Sequence, residues 1–288
     1  MSTYKDHVHR FGKDDGLIGI ATVPETNQGA ADAPAVLVLN AGLVHRIGPF
    51  RLSVELARRL AAQDSLVFRI DQSALGDSAQ RGDGLSYEER AVVDAKEAMD
   101  FLGARYGKKR FIVMGLCAGA MNTHRVAVAD DRVVGACQLD GYAYRTPIYW
   151  RRQLLPKLVN PANWARGVDM LKNKVLGTAT TKRAESNGDG DAPGADAAEI
   201  FAQDWPPLAD VRRELDRLLT RGTQMLFVYT GGWSDFVDAR QFDEMFAGLR
   251  ETGRVRVKFF PEADHTYVLL AHREAMLAEV ASFVAQVR

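Results

Sequence analysis

Gly115-Leu116-Cys117-Ala118-Gly119 sets one thiol between two glycines. The apolar run Phe111-Ile112-Val113-Met114 leads into it, and a stretch of helical composition, Ala118 to Ala129, leads away. The run has the length and composition of a strand buried on both faces. Strand, sharp strained turn, nucleophile, helix is the order that a nucleophile elbow requires. A Cβ at either glycine would collide with the neighbouring strand or helix. The apex residue would sit at a helix N-terminus, where unpaired N–H groups and the dipole favour a thiolate and a developing oxyanion. Cys117 is therefore the candidate nucleophile. The competing reading is a small core residue, the commoner fate of a cysteine after an apolar strand.

A thiol nucleophile needs a base, an acid to orient that base, and donors for the oxyanion. Of six histidines, His265 is the best-placed base, because it follows the last predicted strand directly. His7 and His9 fall in an N-terminal hairpin, His124 lies two turns along the helix after Cys117, and His272 lies in the final helix. His45, in the loop after the first parallel-type strand, is the rival. Asp235 follows the next-to-last strand and is the first candidate for the acid. Asp140, one strand earlier, is the alternative. The expected oxyanion donors are the N–H of Ala118 and one from Gly42 or Leu43.

The elements that must hold these residues alternate along the chain. Residues 4–12 and 16–23 read as a β-hairpin, and Ala35–Leu39, Ser65–Ile70, Phe111–Met114, Val133–Leu139, Gln224–Tyr229 and Arg254–Phe260 as further strands. Helical patterns cover 49–62, 87–106, 118–129, 207–221, 236–250 and 268–286. Such alternation implies a parallel sheet with right-handed crossovers and sites at the carboxyl ends of its strands. Residues 142–210 break the alternation. They read as a lid over the strand ends, with a polar, Gly-rich link at 180–197, or alternatively as a helical hairpin that merely packs. The core is then 1–141 and 211–288. Tyr142, Tyr144, Tyr149, Trp150 and Trp233, with His45 and Arg46, are candidate substrate contacts.

Composition narrows the function classes. The chain has 288 residues, 47% hydrophobic and 26% charged, as expected of an ordinary globular protein. Its 37 Lys and Arg balance 37 Asp and Glu, which argues against a nucleic-acid partner. No apolar run suits a transmembrane helix, and the first residues lack the apolar core of a secretory signal. With two cysteines on separate strands, a cytoplasmic protein with reduced thiols is the simplest expectation. No Cys/His spacing suggests a metal, and no cofactor is expected. The oligomeric state is open, a homodimer included.

Taken together, these motifs resemble the α/β-hydrolase superfamily over essentially the whole chain. Gly115–Gly119 matches the elbow, Asn40-Ala41-Gly42 the oxyanion turn, Asp71…Gly76-Asp77-Ser78 the loop after the next strand, and Cys117…Asp235…His265 the order nucleophile, acid, base. Within it, Leu39–Pro49, Gly115-Leu116-Cys117 and Asp140–Pro147 are similar to the hydrolases that accompany bacterial exosortase systems. Two positions depart from the common pattern: Cys replaces Ser, as in dienelactone hydrolases and polyhydroxyalkanoate synthases, and Asn40-Ala41 replaces His-Gly. The resemblance implies an α/β-hydrolase fold, a mostly parallel eight-stranded sheet with helices on both faces and an inserted helical lid. A thioester acyl-enzyme permits both hydrolysis and transfer. The expected activity is esterase or thioesterase cleavage of a small-molecule or carrier-bound acyl substrate, the alternatives being an acyltransferase or cyclase on the same triad and a non-catalytic binding protein.

Overall fold

A computed structural model describes residues 4–25, 32–159 and 205–288. Eight strands form one sheet: β1 (Tyr4–Phe11), β2 (Leu17–Pro24), β3 (Ala35–Val38), β4 (Val67–Asp71), β5 (Phe111–Leu116), β6 (Val133–Leu139), β7 (Gln224–Thr230) and β8 (Val255–Phe260). Their order is β1-β2-β4-β3-β5-β6-β7-β8. The β1–β2 and β2–β4 pairs are antiparallel, and every pair from β4 through β3 to β8 is parallel. The hairpin that begins the chain therefore forms the antiparallel edge of an otherwise parallel sheet. The central strands β3, β4 and β5 are buried along their whole length, the condition their continuous apolar runs require.

Helices cover both faces. Among the described residues the helices are α1 (Leu52–Ala61), α2 (Tyr87–Tyr106), α3 (Ala118–Ala129), α4 (Pro147–Val159), α5 (Leu208–Arg221), α6 (Gln241–Met245) and α7 (Leu270–Val287). Phe111 and Val113 of β5 pack with apolar residues of α2, α3 and α5. Ile112, Met114 and Leu116, on the opposite face, pack with α1 and α7. The two-residue period of the strand thus feeds two separate cores, one on each side. Helix α2 begins where its sequence says it should. Ser86 accepts from the Glu89 N–H, the Glu89 carboxylate accepts from the Ser86 N–H, and Gly107 ends the helix in a left-handed conformation.

Two expected elements differ. The helical pattern over 236–250 yields only the short α6 and a 3₁₀ turn at Arg250–Thr252. Side chains compete with helical bonding there. The Gln241 carboxamide accepts from Val237 N–H and donates to the carbonyls of Tyr144 and Asp235, and Asp238 accepts from Arg240 N–H. The described residues of the 142–210 insertion pack on this same segment. Ile148 N–H donates to Glu244 (2.9 Å), and Arg152 pairs with Asp238 (2.8 Å). Residues 160–204 of the expected lid, including the 180–197 link, lie outside the described residues.

Candidate active site

The elbow is steric in origin. Cys117 has φ 58° and ψ −122°, a conformation that costs a non-glycine residue of order 1–3 kcal/mol and is held only by its surroundings. Its N–H donates to the Leu139 carbonyl of β6, and its own carbonyl accepts from Ala120 in the first turn of α3. A Cβ on Gly115 would lie 2.4 Å from the Gly119 carbonyl carbon, and one on Gly119 would lie 2.3 Å from the Asn40 carbonyl oxygen. Neither neighbour is a movable side chain, so the strand, the helix and the loop after β3 can close up only around glycine. Gly119→Ala is expected to lower the unfolding free energy by about 3 kcal/mol, read from the urea midpoint, because the obstructing atoms are backbone. Ala118 is the first residue of α3, so its N–H is one of the donors that a helix leaves without an internal partner.

His265 stands beside this turn. Its Nδ1 lies 2.7 Å from Asp140 Oδ2. An ionised carboxylate only accepts, so Nδ1 carries the proton toward Asp140 and Nε2 is the nitrogen left available to Cys117. Burial of the ring opposes its charge. The hydrogen bonds and charges of Asp140 and Cys117 outweigh that penalty, and the His265 pKa is raised to about 9.

The carboxylate that meets the imidazole is thus Asp140, at the end of β6. Asp140 is fully buried, adopts a positive φ of 49°, and accepts from the Thr230 N–H and hydroxyl, each at 2.7 Å. Asp235 is engaged elsewhere. It accepts from Arg145 Nε at 2.8 Å, in a pair that is half-exposed on the arginine side. Asp140 and Asp235 end adjacent strand units, and the two donors of Thr230 hold Asp140 in line with the ring. Tyr87, at the start of α2, was absent from the sequence reading. Its hydroxyl accepts from Asn122 Nδ2 at 3.1 Å, and burial foremost, with Cys117 among the lesser charge influences, raises its pKa. No local sequence pattern marks it.

The loop carrying Gly42 and Leu43 is tied down from beneath. Asp71, fully buried at the end of β4, accepts from Arg46 N–H (2.6 Å), Asp77 N–H (3.0 Å), Asn40 Nδ2 (3.1 Å) and the Arg46 guanidinium. The Asn40 carboxamide also donates to the Val44 carbonyl and accepts from Gln72 N–H. Asn40 is therefore a brace for the loop, with its amide spent internally. Gly42 takes a positive φ of 56°, and Leu43 is exposed at the tip.

His45, Asp71 and Asp77 bring ligand-type atoms within 4.8 Å of one another, among the described residues. Arg46 Nη1 sits among them, 2.8 Å from both Asp77 Oδ2 and His45 Nε2 and bonded to Asp71. The cation of this cluster is a guanidinium supplied by the chain itself.

The aromatic candidates fall into two groups. Tyr142 and Tyr144 pack edge-on against Trp205, and Trp205 stacks on Trp233. Tyr142 is buried, and the Tyr144 hydroxyl donates to the Pro206 carbonyl at 2.6 Å. Tyr149 and the exposed Trp150 instead carry the Arg145 guanidinium on their rings. Cys137, the other cysteine, is buried within β6, where desolvation pushes its thiol pKa up.

No protein-family model matches the chain, and no curated protein matches it in sequence. Solved structures do resemble it. An esterase of Pyrococcus furiosus superposes with a TM-score of 0.58 at 15% identity over 98% of this chain and 90% of its own. A proline iminopeptidase of Mycobacterium smegmatis gives 0.56 at 16% identity over 98% of both chains. A variant protein bound to the Pseudomonas quinolone signal, whose ring it cleaves, gives 0.57 at 14% identity over 98% of this chain and all of its own. The architecture is the α/β-hydrolase fold. No helix among the described residues is long and apolar enough to cross a membrane.

Proposed function

We propose that this chain is a hydrolase that cleaves an ester or thioester through a thioester on Cys117, with His265 as base and Asp140 as its orienting acid. The observation carrying this reading is the His265 ring, bonded to Asp140 through Nδ1 and near enough to the sulfur of a strained elbow for that sulfur to help raise its pKa. In the first half-reaction the Cys117 sulfur attacks the carbonyl while His265 Nε2 holds the proton that the sulfur gives up. The oxyanion is met by the N–H of Ala118 and one from Gly42 or Leu43. Collapse of the tetrahedral intermediate breaks the bond to the alcohol or thiol, which leaves with the proton from Nε2. Water then gives a proton to Nε2 and attacks the thioester, and acid release returns the proton to Cys117. An amine, thiol or alcohol in place of that water would make the same residues an acyltransferase.

Intact-protein mass spectrometry after brief exposure to p-nitrophenyl acetate tests the reading. An acetyl adduct on Cys117 is expected, and its absence would overturn the proposal. Release measured with and without an added thiol or amine then separates hydrolysis from transfer.

The buried brace makes a second expectation. Asp71→Asn loosens the loop that holds Gly42 and Leu43, so acylation by the ester should slow about tenfold, short of the ~10² that loss of one oxyanion donor costs. Alkylation of Cys117 by iodoacetamide develops no oxyanion, and its rate in the same variant should stay near that of the unaltered protein. Equal slowing of both reactions would refute a role confined to that loop.

A further inference from the structure

Trp233 was a candidate substrate contact, and its indole lies parallel to two other rings. His265 lies on one face, with ring centroids 4.9 Å apart and planes 19° from parallel. Trp205 lies parallel to it at 6.3 Å and 17°. Trp205 is itself wedged edge-on between Tyr142 and Tyr144. Tyr142 is pinned from below by the Tyr229 hydroxyl, which donates to its carbonyl at 2.8 Å.

The backbone under the indole is equally constrained. Gly231 N–H donates to the Phe260 carbonyl and Gly232 N–H to the Ala263 carbonyl, each at 3.0 Å. A Cβ on Gly232 would lie 2.5 Å from His265 N, so the turn after β7 and the loop bearing His265 close directly on each other. The same turn starts with Thr230, whose two donors hold Asp140.

We propose that Trp233, stacked on His265 and on Trp205, is a positioning residue that keeps the imidazole plane aligned with both Asp140 and Cys117. This rests on the reading of Cys117, His265 and Asp140 given above. A ring anchored by one Nδ1 bond can still swing about that bond, carrying Nε2 out of line with the sulfur. A flat indole against its face removes that freedom, because the swing would drive the imidazole into the stack. Offset stacking is a favoured arrangement for two such rings, and the negative face of an indole also suits an imidazolium.

Trp233→Leu and Trp233→Phe, assayed with p-nitrophenyl acetate and p-nitrophenyl octanoate, test this. The leucine variant is expected to lose on the order of 10² in kcat with both esters while KM hardly changes, the size of effect that misplacement of a catalytic group produces. Phenylalanine keeps a flat ring and should restore most of the rate. A loss carried by KM and larger for octanoate would instead make Trp233 a substrate contact and overturn the proposal. A merely structural role would lower the thermal midpoint and leave kcat per Cys117 titrated by iodoacetamide unchanged, which also overturns it.

Emission supplies a readout without turnover. An imidazolium quenches the indole stacked on it, so His265→Asn should brighten tryptophan emission at pH 7. The same substitution in the Trp233→Phe background should not. Brightening that persists in that background would remove the stack. The acetyl adduct on Cys117 separates the two readings: its absence from the unaltered protein overturns the proposed function and the positioning role with it. An adduct that forms at full rate in Trp233→Leu overturns the positioning role alone.

Discussion

Cys117→Ala is expected to abolish ester cleavage, with a fall in kcat of about 10⁴-fold or more, while the protein unfolds at nearly the same urea concentration. The size follows from how nucleophile, base and acid act as a unit. With the nucleophile gone, His265 and Asp140 have nothing to activate, and only binding and the oxyanion donors remain. The stability expectation comes from the backbone. Alanine keeps the Cβ, so the strain of φ 58° at residue 117 is unchanged. Gly115 and Gly119 still meet as before, and only one sulfur at a partly exposed position is lost. Circular dichroism with urea and an ester assay on the same preparation check both halves. Full turnover by the alanine variant would remove Cys117 from the chemistry. The same substitution should also erase the acetyl adduct and the iodoacetamide product, whereas Cys137→Ser, inside β6, should leave both intact.

What could be read before folding, and what could not, divides by the range of the physics. The elbow was legible because its requirements are local: a buried strand, two glycines and a helix, all between Phe111 and Ala129. The hairpin of β1 and β2, the capped α2 and the placement of His265 past the last strand were legible for the same reason. The 236–250 segment was not, because Gln241 and Asp238 divert its backbone through bonds that include Tyr144, 97 residues away. The partner of His265 was open because Asp140 and Asp235 each follow a strand of the same sheet, and sequence order favoured the later one. The geometry is set by Thr230, whose N–H and hydroxyl reach 90 residues back to Asp140. Arg145, which sits on Asp235, likewise comes from 90 residues away. His45 and Arg46 read as candidate substrate contacts, and their pairing with Asp71 and Asp77 crosses between two loops.

Asp140→Asn should cost on the order of 10³- to 10⁴-fold in kcat, and Asp235→Asn should cost almost nothing. The asymmetry can be worked out from the donors around residue 140. Three hydrogens point at this carboxylate, from the Thr230 N–H, the Thr230 hydroxyl and His265 Nδ1. An asparagine has one oxygen for them and presents two hydrogens of its own. The Thr230 N–H cannot turn away, so the amide oxygen must stay on that side. The amide NH₂ then faces the Thr230 hydroxyl, which can accept, and His265, which must accept through Nδ1. That moves the ring proton to Nε2, where it faces the sulfur, and a nitrogen already carrying its proton cannot take another from Cys117. Losing the Asp140 charge also removes a major support of the imidazolium, so the His265 pKa should fall from its raised value near 9. The pH dependence of iodoacetamide alkylation should shift accordingly. At residue 235 the same change breaks only an ion pair that is half-exposed at Arg145, where solvent screening leaves little to lose, and the imidazole is untouched. A kcat that falls for Asp235→Asn and holds for Asp140→Asn would transfer the orienting role to Asp235 and require the His265 loop to turn toward β7 in the working enzyme.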